Sequence, residues 1–427
     1  MKEFTDKIKK ASEKIKSFDR EILIVSHLDT DGIASASIMA SILLELEKDF
    51  QITFVKEISL KIIKSINNKK PELVIFTDIG SGYLDYLSEI NVDMIILDHH
   101  EVVGELNDNM IMVNPVEHDL EFSGSGTVYM LAKEMLKHDR LAPLAIVGTI
   151  GDVSYPTDSR LFDTPLVESE KGLNIYGRYS RPLHEALKYL KILKLSDSSK
   201  AIQFLSEIGI NPQENGTWRT FESLKDGEKK KLTDAIVKEA LNQDKFEIER
   251  IFGNVLTLKG FPEELKDAKE FATILNACAN MNEPAVGVAL CLGSKKALKD
   301  AKGLHRGYKK LIANYMNWVR DNPQNIRQSD IVTYILAKDN INENLIGTIV
   351  SMLYDSENIL VGLANGDNGI KVSVRSKDID IHETVIKTAE LCGGKGGGHN
   401  FAAGAKIPFE TEQKFIECFE GFLRKTL

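Results

Sequence analysis

Over the first 150 or so residues the hydrophobic positions fall in short unbroken runs separated by stretches of helical period. Residues 21–26 (Glu-Ile-Leu-Ile-Val-Ser), 73–77 (Leu-Val-Ile-Phe-Thr), 94–97 and 110–113 lack the polar alternation of a strand with one wet face. Each is expected to be a strand buried on both sides. Residues 32–50 place Ile38, Met39, Ile42 and Leu43 on one side of a helix, residues 124–137 predict another, and an apolar segment follows at 141–152. Buried strands separated by helices predict a parallel sheet covered on both faces.

The pattern then changes. Residues 157–200 are polar and helical, with Tyr, Arg and Pro interruptions, and read as a connector. Residues 200–320 mix helices (267–279 and 295–317) with a strand pair near 250–258, and Glu228-Lys-Lys-Lys231 marks an exposed helix. The final stretch alternates again: strands at 331–336, 358–364 and 370–375, the last two joined by the hairpin turn Asn365-Gly-Asp-Asn-Gly369, with helices at 343–353, 381–391 and 410–427. The expected architecture is α/β. A doubly wound, mostly parallel domain with its connector helix occupies 1–195, a mixed α/β region 196–320, and a smaller α/β domain 321–427, with a cleft between the first and last.

A chain of 427 residues exceeds one ordinary core, which agrees with that division. The net charge of -9 argues against a protein that coats nucleic acid through its whole surface. Met1 to Arg20 alternates Lys and Glu with apolar residues, as an amphipathic helix does and a secretion signal does not. No apolar run has the length of a membrane span, and the four cysteines form no Cys-x-x-Cys pair, so a cytoplasmic protein is expected.

Candidate chemistry gathers at the ends of the predicted strands. His27-Leu-Asp29-Thr-Asp31-Gly32 follows the first, Asp78 ends the second, Asp98-His99-His100 follows the third, and Asp152 closes the 141–152 segment. Ligands of open parallel sheets sit beyond the carboxyl ends of the strands, so these groups aim at one crevice. One such aspartate is ordinarily a helix cap. Five aspartates with three histidines would repel one another and lose hydration unless a cation joined them. An Asp/His set without Cys suits Mn²⁺, with Mg²⁺ or Zn²⁺ as alternatives. Two such ions can activate water and stabilise an in-line displacement at phosphorus.

In order and residue type these segments resemble the four motifs of the DHH phosphoesterase superfamily, specifically its archaeal RecJ-like single-strand-specific exonucleases. The resemblance implies that His27 and Asp29 hold one metal, that Asp31, His99 and Asp152 hold a second, and that Asp78 bridges them. It gives His100 a catalytic place facing the substrate phosphate, with Asp98 orienting an imidazole. It implies two divalent ions, most readily Mn²⁺ with Mg²⁺ as the alternative. The implied reaction releases nucleoside monophosphates from single-stranded DNA or RNA or from a short oligonucleotide. It also implies a replisome partner such as GINS. A relative acting on nano-RNA, cyclic dinucleotides or pyrophosphate would carry the same metal shell. A non-catalytic replisome scaffold ranks lower, because every expected ligand position is filled.

The C-terminal run Cys392-Gly-Gly-Lys-Gly-Gly-Gly-His399-Asn-Phe-Ala-Ala-Gly404 lets backbone N–H groups approach an anion. It is similar to the Gly-Gly-Gly-His motif of the DHH-associated C-terminal domain. That similarity implies phosphate binding by Gly396, Gly397, Gly398 and His399, and Arg375 offers a planar fork for the same task. His305, Arg306, Lys309 and Lys310 form a basic group, as do Lys64, Lys69 and Lys70, and both read first as solvated helix faces. Gly124-Ser-Gly-Thr127 opens a helix and reads equally as an anion site or as ordinary capping.

Overall fold

The computed structural model describes residues 2–152, 160, 164–242, 251–354 and 358–426. In it the unbroken apolar runs pair as strands. β1 (Ile22–His27), β2 (Phe50–Val55), β3 (Leu73–Thr77), β4 (Asp93–Leu97) and β5 (Met110–Val113) form one sheet in the order 2-1-3-4-5, with every pairing parallel.

Alternate residues of these strands enter two separate cores. Ile22, Ile24, Leu73, Ile75, Ile95 and Leu97 pack on one face with helices Lys2–Ser17, Thr30–Glu45, Gly124–Leu136 and Ala142–Gly151. Leu23, Val25, Val74, Phe76, Met94 and Ile96 pack on the other with Leu60–Lys69 and Leu84–Leu87. Burial on both faces is the physical reason for runs without polar alternation. At roughly 1.5–3 kcal/mol for each fully buried aliphatic side chain, these layers fix the strand ends that carry the polar residues.

Two sequence expectations are corrected here. The helix expected over 32–50 stops at Glu45, and Phe50 opens β2. Glu47 takes a left-handed backbone (φ 53) that ends the helix. β2 lies at the sheet edge and is mostly half-buried, so it lacks the apolar signature of its neighbours. The polar connector also holds a strand, Val167–Leu173, paired antiparallel with Phe252–Leu258. The strand pair expected near 250–258 is thus one strand with a partner distant in sequence. Residues 157–159 and 161–163 of the connector, and residue 250, lie outside the described residues.

The chain divides into two compact units, Met1–Leu304 and His305–Leu427. The second holds its own six-stranded sheet, with Ile326–Gln328, Val332–Lys338, Ile359–Gly366, Gly369–Arg375, Ala402–Ile407 and Lys395–His399 lying side by side in that order. Helices Glu343–Leu353, His382–Leu391 and Glu412–Thr426 belong to it. The predicted hairpin is present, with Gly366 paired to Gly369. The four cysteines are free. Among the described residues no helix is long and apolar enough to cross a membrane.

Candidate metal centre

Three loops at the carboxyl edge of the first sheet and the C-terminal end of one helix supply the site. His27 is the last residue of β1, and Asp29 caps helix Thr30–Glu45, accepting from Gly32 N at 2.8 Å. A side chain at position 32 would place its Cβ 2.0 Å from the His27 carbonyl oxygen, so the tight strand-to-helix turn requires glycine there. Asp78 follows β3 in a left-handed conformation (φ 58), a backbone that concentrates at functional sites. Asp98, His99 and His100 follow β4, and Asp152 ends helix Ala142–Gly151.

Asp78 stands at the centre. Its side chain is 1% exposed, and neither carboxylate oxygen has a hydrogen-bond partner. His99 Nε2 lies 3.3 Å from Asp78 Oδ1 and 3.7 Å from Asp152 Oδ2. His27 Nδ1 lies 3.6 Å from Asp78 Oδ2 and 2.8 Å from Asp29 Oδ2, the latter close but without hydrogen-bond alignment. Two triads offer ligand atoms within 4.8 Å of one another, Asp78/His99/His100 and His27/Asp29/Asp78, and Asp78 belongs to both.

Buried polar atoms in folded proteins are almost always paired. Here Asp78 Oδ1 and Oδ2, His99 Nε2 and His27 Nδ1 are orphaned together around one point. A divalent cation is the group that oxygen and imidazole donors so arranged can all satisfy. The residues present therefore fit the metals that the motif resemblance implies.

The electrostatics agree. Burial, then the charges of Asp31 and Asp29, push the Asp78 carboxyl up to about 8. Burial and Asp31 likewise push Asp152 up to about 6. Burial alone would lower both imidazoles, yet Asp29 and Asp78 hold His27 at about 11, and Asp78 and Asp31 hold His99 at about 10.

Asp98 and His100 form a different pair. The Asp98 side chain is sealed from solvent, and its Oδ2 accepts from Ser81 N at 2.8 Å. Its Oδ1 accepts from His99 N at 2.8 Å and lies 2.7 Å from His100 Nδ1. Burial would raise this carboxyl, but His100 and the Ser81 N–H hold it at about 2. The hydrogen bond to Asp98 raises the pKa of His100, whose side chain is half exposed. Here one carboxylate fixes one imidazole.

Residues that the sequence reading passed over support the centre. Asp31 is 1% exposed and accepts from Ser125 N at 3.2 Å and from Ser123 Oγ at 3.2 Å. The anion met by the N-terminus of helix Gly124–Leu136 is therefore Asp31 itself, while Ser123 also caps that helix through Gly126 N. A Cβ at Gly124 would sit 2.4 Å from Asp78 Oδ1, and one at Gly148 would sit 2.3 Å from Asp31 Oδ1. Buried Asn114 donates to the His100 carbonyl at 2.8 Å and to Ser81 Oγ at 2.9 Å. These contacts join segments far apart in the chain. Only the small-residue pattern Gly124-Ser-Gly126 hinted at them.

The other predicted residues lie in the second unit. The glycine run is the edge strand Lys395–His399 rather than a loop. Arg375 and His399 both stand opposite Ala402, so the two share one face of the sheet across a small residue. Arg375 donates to Ser351 Oγ at 2.9 Å and to the Val374 carbonyl at 2.8 Å, and among the described residues no carboxylate pairs with it. A Cβ at Gly397 meets nothing within 4 Å, whereas one at Gly396 would sit 2.9 Å from Ile386 Cα. One at Gly398 (φ +132) would sit 2.6 Å from Ala403 Cα.

The chain matches the DHH family N-terminal domain over residues 21–149, the DHH-CID domain over 175–252 and the DHHA1 domain over 328–425. It belongs to the DHH phosphoesterase superfamily and is RecJ-like. An uncharacterized protein of Methanocaldococcus jannaschii is 29% identical over 452 residues, covering 100% of this chain and 99% of that protein. The single-stranded-DNA-specific exonuclease RecJ of Bacillus subtilis is 32% identical over 194 residues, covering 42% of this chain but 24% of that protein. The RecJ structure from Thermus thermophilus in complex with Mn²⁺ superposes with a TM-score of 0.62 at 17% identity, over 98% of this chain and 55% of that one. The chain thus spans 24% of the Bacillus subtilis RecJ and 55% of the Thermus thermophilus RecJ structure.

Proposed function

We propose that this phosphoesterase is a divalent-metal-dependent exonuclease that cuts phosphodiester bonds of single-stranded DNA or RNA and releases nucleoside monophosphates. The observation that carries this reading is Asp78, a sealed carboxylate with both oxygens unpartnered between two imidazoles. Similarity to single-strand exonucleases of the RecJ type supports the substrate class.

In this reading His27, Asp29, Asp31, Asp78, His99 and Asp152 would hold two divalent ions, Mn²⁺ most readily and Mg²⁺ as the alternative. Bound there, such ions would supply Lewis-acid activation of water and neutralise charge developing at phosphorus. The protein's own groups do the rest. Asp98 engages His100 Nδ1 at 2.7 Å and raises the imidazole's pKa, which leaves the other ring nitrogen for a substrate oxygen. There His100 donates to a phosphate oxygen and gives its proton to the leaving oxygen. The Ser125 N–H and Ser123 hydroxyl hold Asp31 in one orientation. Arg375, His399 and the open Gly397 edge take the substrate phosphate in the region 321–427, with 1–195 catalytic and 196–320 intermediate.

The test is incubation with Mn²⁺ of single-stranded DNA and RNA, each labelled separately at its 5′ and 3′ ends, beside an Asp78→Ala variant. Mononucleotide release that the variant lacks is expected, and the label lost first gives the polarity. Cleavage confined to dinucleotides or cyclic dinucleotides would replace this reading with a small-nucleotide phosphodiesterase. Absence of any metal-dependent cleavage would favour a replisome scaffold.

A further inference from the structure

A concave apolar surface in the first unit shares no residue with the metal centre. Its volume is about 680 Å³. It lies where the C-terminal end of Thr30–Glu45, the start of Ala142–Gly151, the loop at residues 260–265, the end of Pro284–Cys291 and the first turn of Lys295–Asp321 converge. Leu141, Leu144, Leu265 and Leu290 are buried beneath it. At its mouth stand two exposed leucines from different elements, Leu44 at 55% and Leu292 at 42%. Large apolar side chains left wet on two lips of an apolar groove mark an interaction site rather than a packing remnant.

The charges around the groove are not balanced. Glu45 on the rim is already engaged by Arg140 and His138. Lys295 lines the groove, and Lys296 and Lys299 follow it in the opening turns of the helix Lys295–Asp321; all three are exposed and form no ion pair among the described residues, and exposed Asp300 comes next. The first turn of that helix holds no acidic residue. Lysines there oppose the helix dipole, which favours anions at this end. Ser294 caps this end, its Oγ accepting from Ala297 N at 3.3 Å, so the unpaired lysines are what attracts negative charge here.

We propose that this groove docks an amphipathic helix of a partner protein, with leucine-like anchors on one face and acidic residues beside them. The apolar floor takes anchors spaced at i, i+3, i+4 and i+7, and the three lysines meet the acidic positions. Nucleic acid would use the lysines and leave the leucines wet. A small apolar molecule would fill the floor and leave the lysines unused.

Fluorescence anisotropy with the full chain tests this. The probe is a labelled synthetic helix with leucines at those anchor positions and glutamates elsewhere. Controls carry lysines in place of the glutamates, or a scrambled order. Saturable binding of the acidic probe is expected. It weakens about tenfold in the double variant Leu44→Glu/Leu292→Glu. It weakens several-fold, with a flatter salt dependence, in Lys295→Glu/Lys296→Glu/Lys299→Glu. All five side chains are exposed or on the rim, so the melting temperature and the phosphoesterase activity stay at wild-type values. Equal binding by the variants, preference for the lysine-bearing control or for single-stranded DNA, or uptake of a small apolar dye alone would overturn the proposal.

Discussion

The metal centre of the first unit and the glycine strand of the second are built from opposite materials. At the centre the key side chain, Asp78, is sealed from water with no hydrogen bond to either carboxylate oxygen, while the imidazoles around it, Asp29 and Asp152 are partly exposed. At the Lys395–His399 edge the surface is mainly backbone, and two of the three central glycines are explained by a helix and a neighbouring strand packed against them. Burying an unpaired carboxylate works against folding, so a site that does so points strongly to a ligand. An open glycine edge costs the fold little and points less sharply. Arg375 and His399, sharing a register row, are what distinguish that edge from ordinary sheet.

The contrast is sharpest at Asp78. Asp78→Asn is expected to lower kcat by on the order of 10³-fold or more, because it removes the shared ligand charge. The same change should raise the melting temperature of the metal-free protein by a few degrees, since it removes a buried carboxylate that resists ionisation. A variant that loses activity and stability together would make Asp78 an ordinary structural residue.

Gly124→Ala is next. Its Cβ would press on Asp78 Oδ1, and displacing a reacting-site group by about 1 Å can cost about 10²-fold in rate. Steady-state kinetics beside circular dichroism would separate this from unfolding. Asp98→Asn should cost about 10- to 100-fold. It should also move the basic limb of the pH–rate profile downward, because Asp98 is what raises His100. A profile unmoved by Asp98→Asn would remove His100 from the proton transfer.

The smallest effects are expected in the second unit, where they divide by position. Gly398→Ala should destabilise by roughly 1–3 kcal/mol, read by denaturant unfolding, since its positive φ and close Ala403 exclude a side chain. Gly397→Ala should leave stability alone and raise KM several-fold. Unchanged KM there would detach the glycine edge from the substrate.

How much of this was legible in the sequence follows from where each signal lives. β1, β3, β4 and β5 were read because strands buried on both faces cannot hide their composition. β2 beyond Phe50 went unassigned because an edge strand is mostly half-buried and loses that mark. Val167–Leu173 was missed because four of its seven residues are exposed and its partner strand follows much later in the chain. The eight polar groups of the centre were legible as residue types at strand ends. Their support was not, since Ser123 and Ser125 reach Asp31 across more than 90 residues, and Asn114 reads as an ordinary turn residue. The glycine run was read as chemistry, and the packing that explains Gly396 and Gly398 needed the sheet.

The most direct test is calorimetric titration of the metal-free protein with Mn²⁺ at about pH 6 and about pH 8. Asp78, Asp152, His27 and His99 all have raised pKa values in the fold. The folded chain therefore holds protons that the unfolded chain releases, and the metal-free protein should lose stability as pH rises across this range. Ions compete with those protons, so the account predicts saturable binding of two equivalents with proton release. It also predicts tighter binding at the higher pH and loss of binding in Asp78→Asn. Absence of saturable binding, or binding indifferent to both pH and Asp78→Asn, would contradict it.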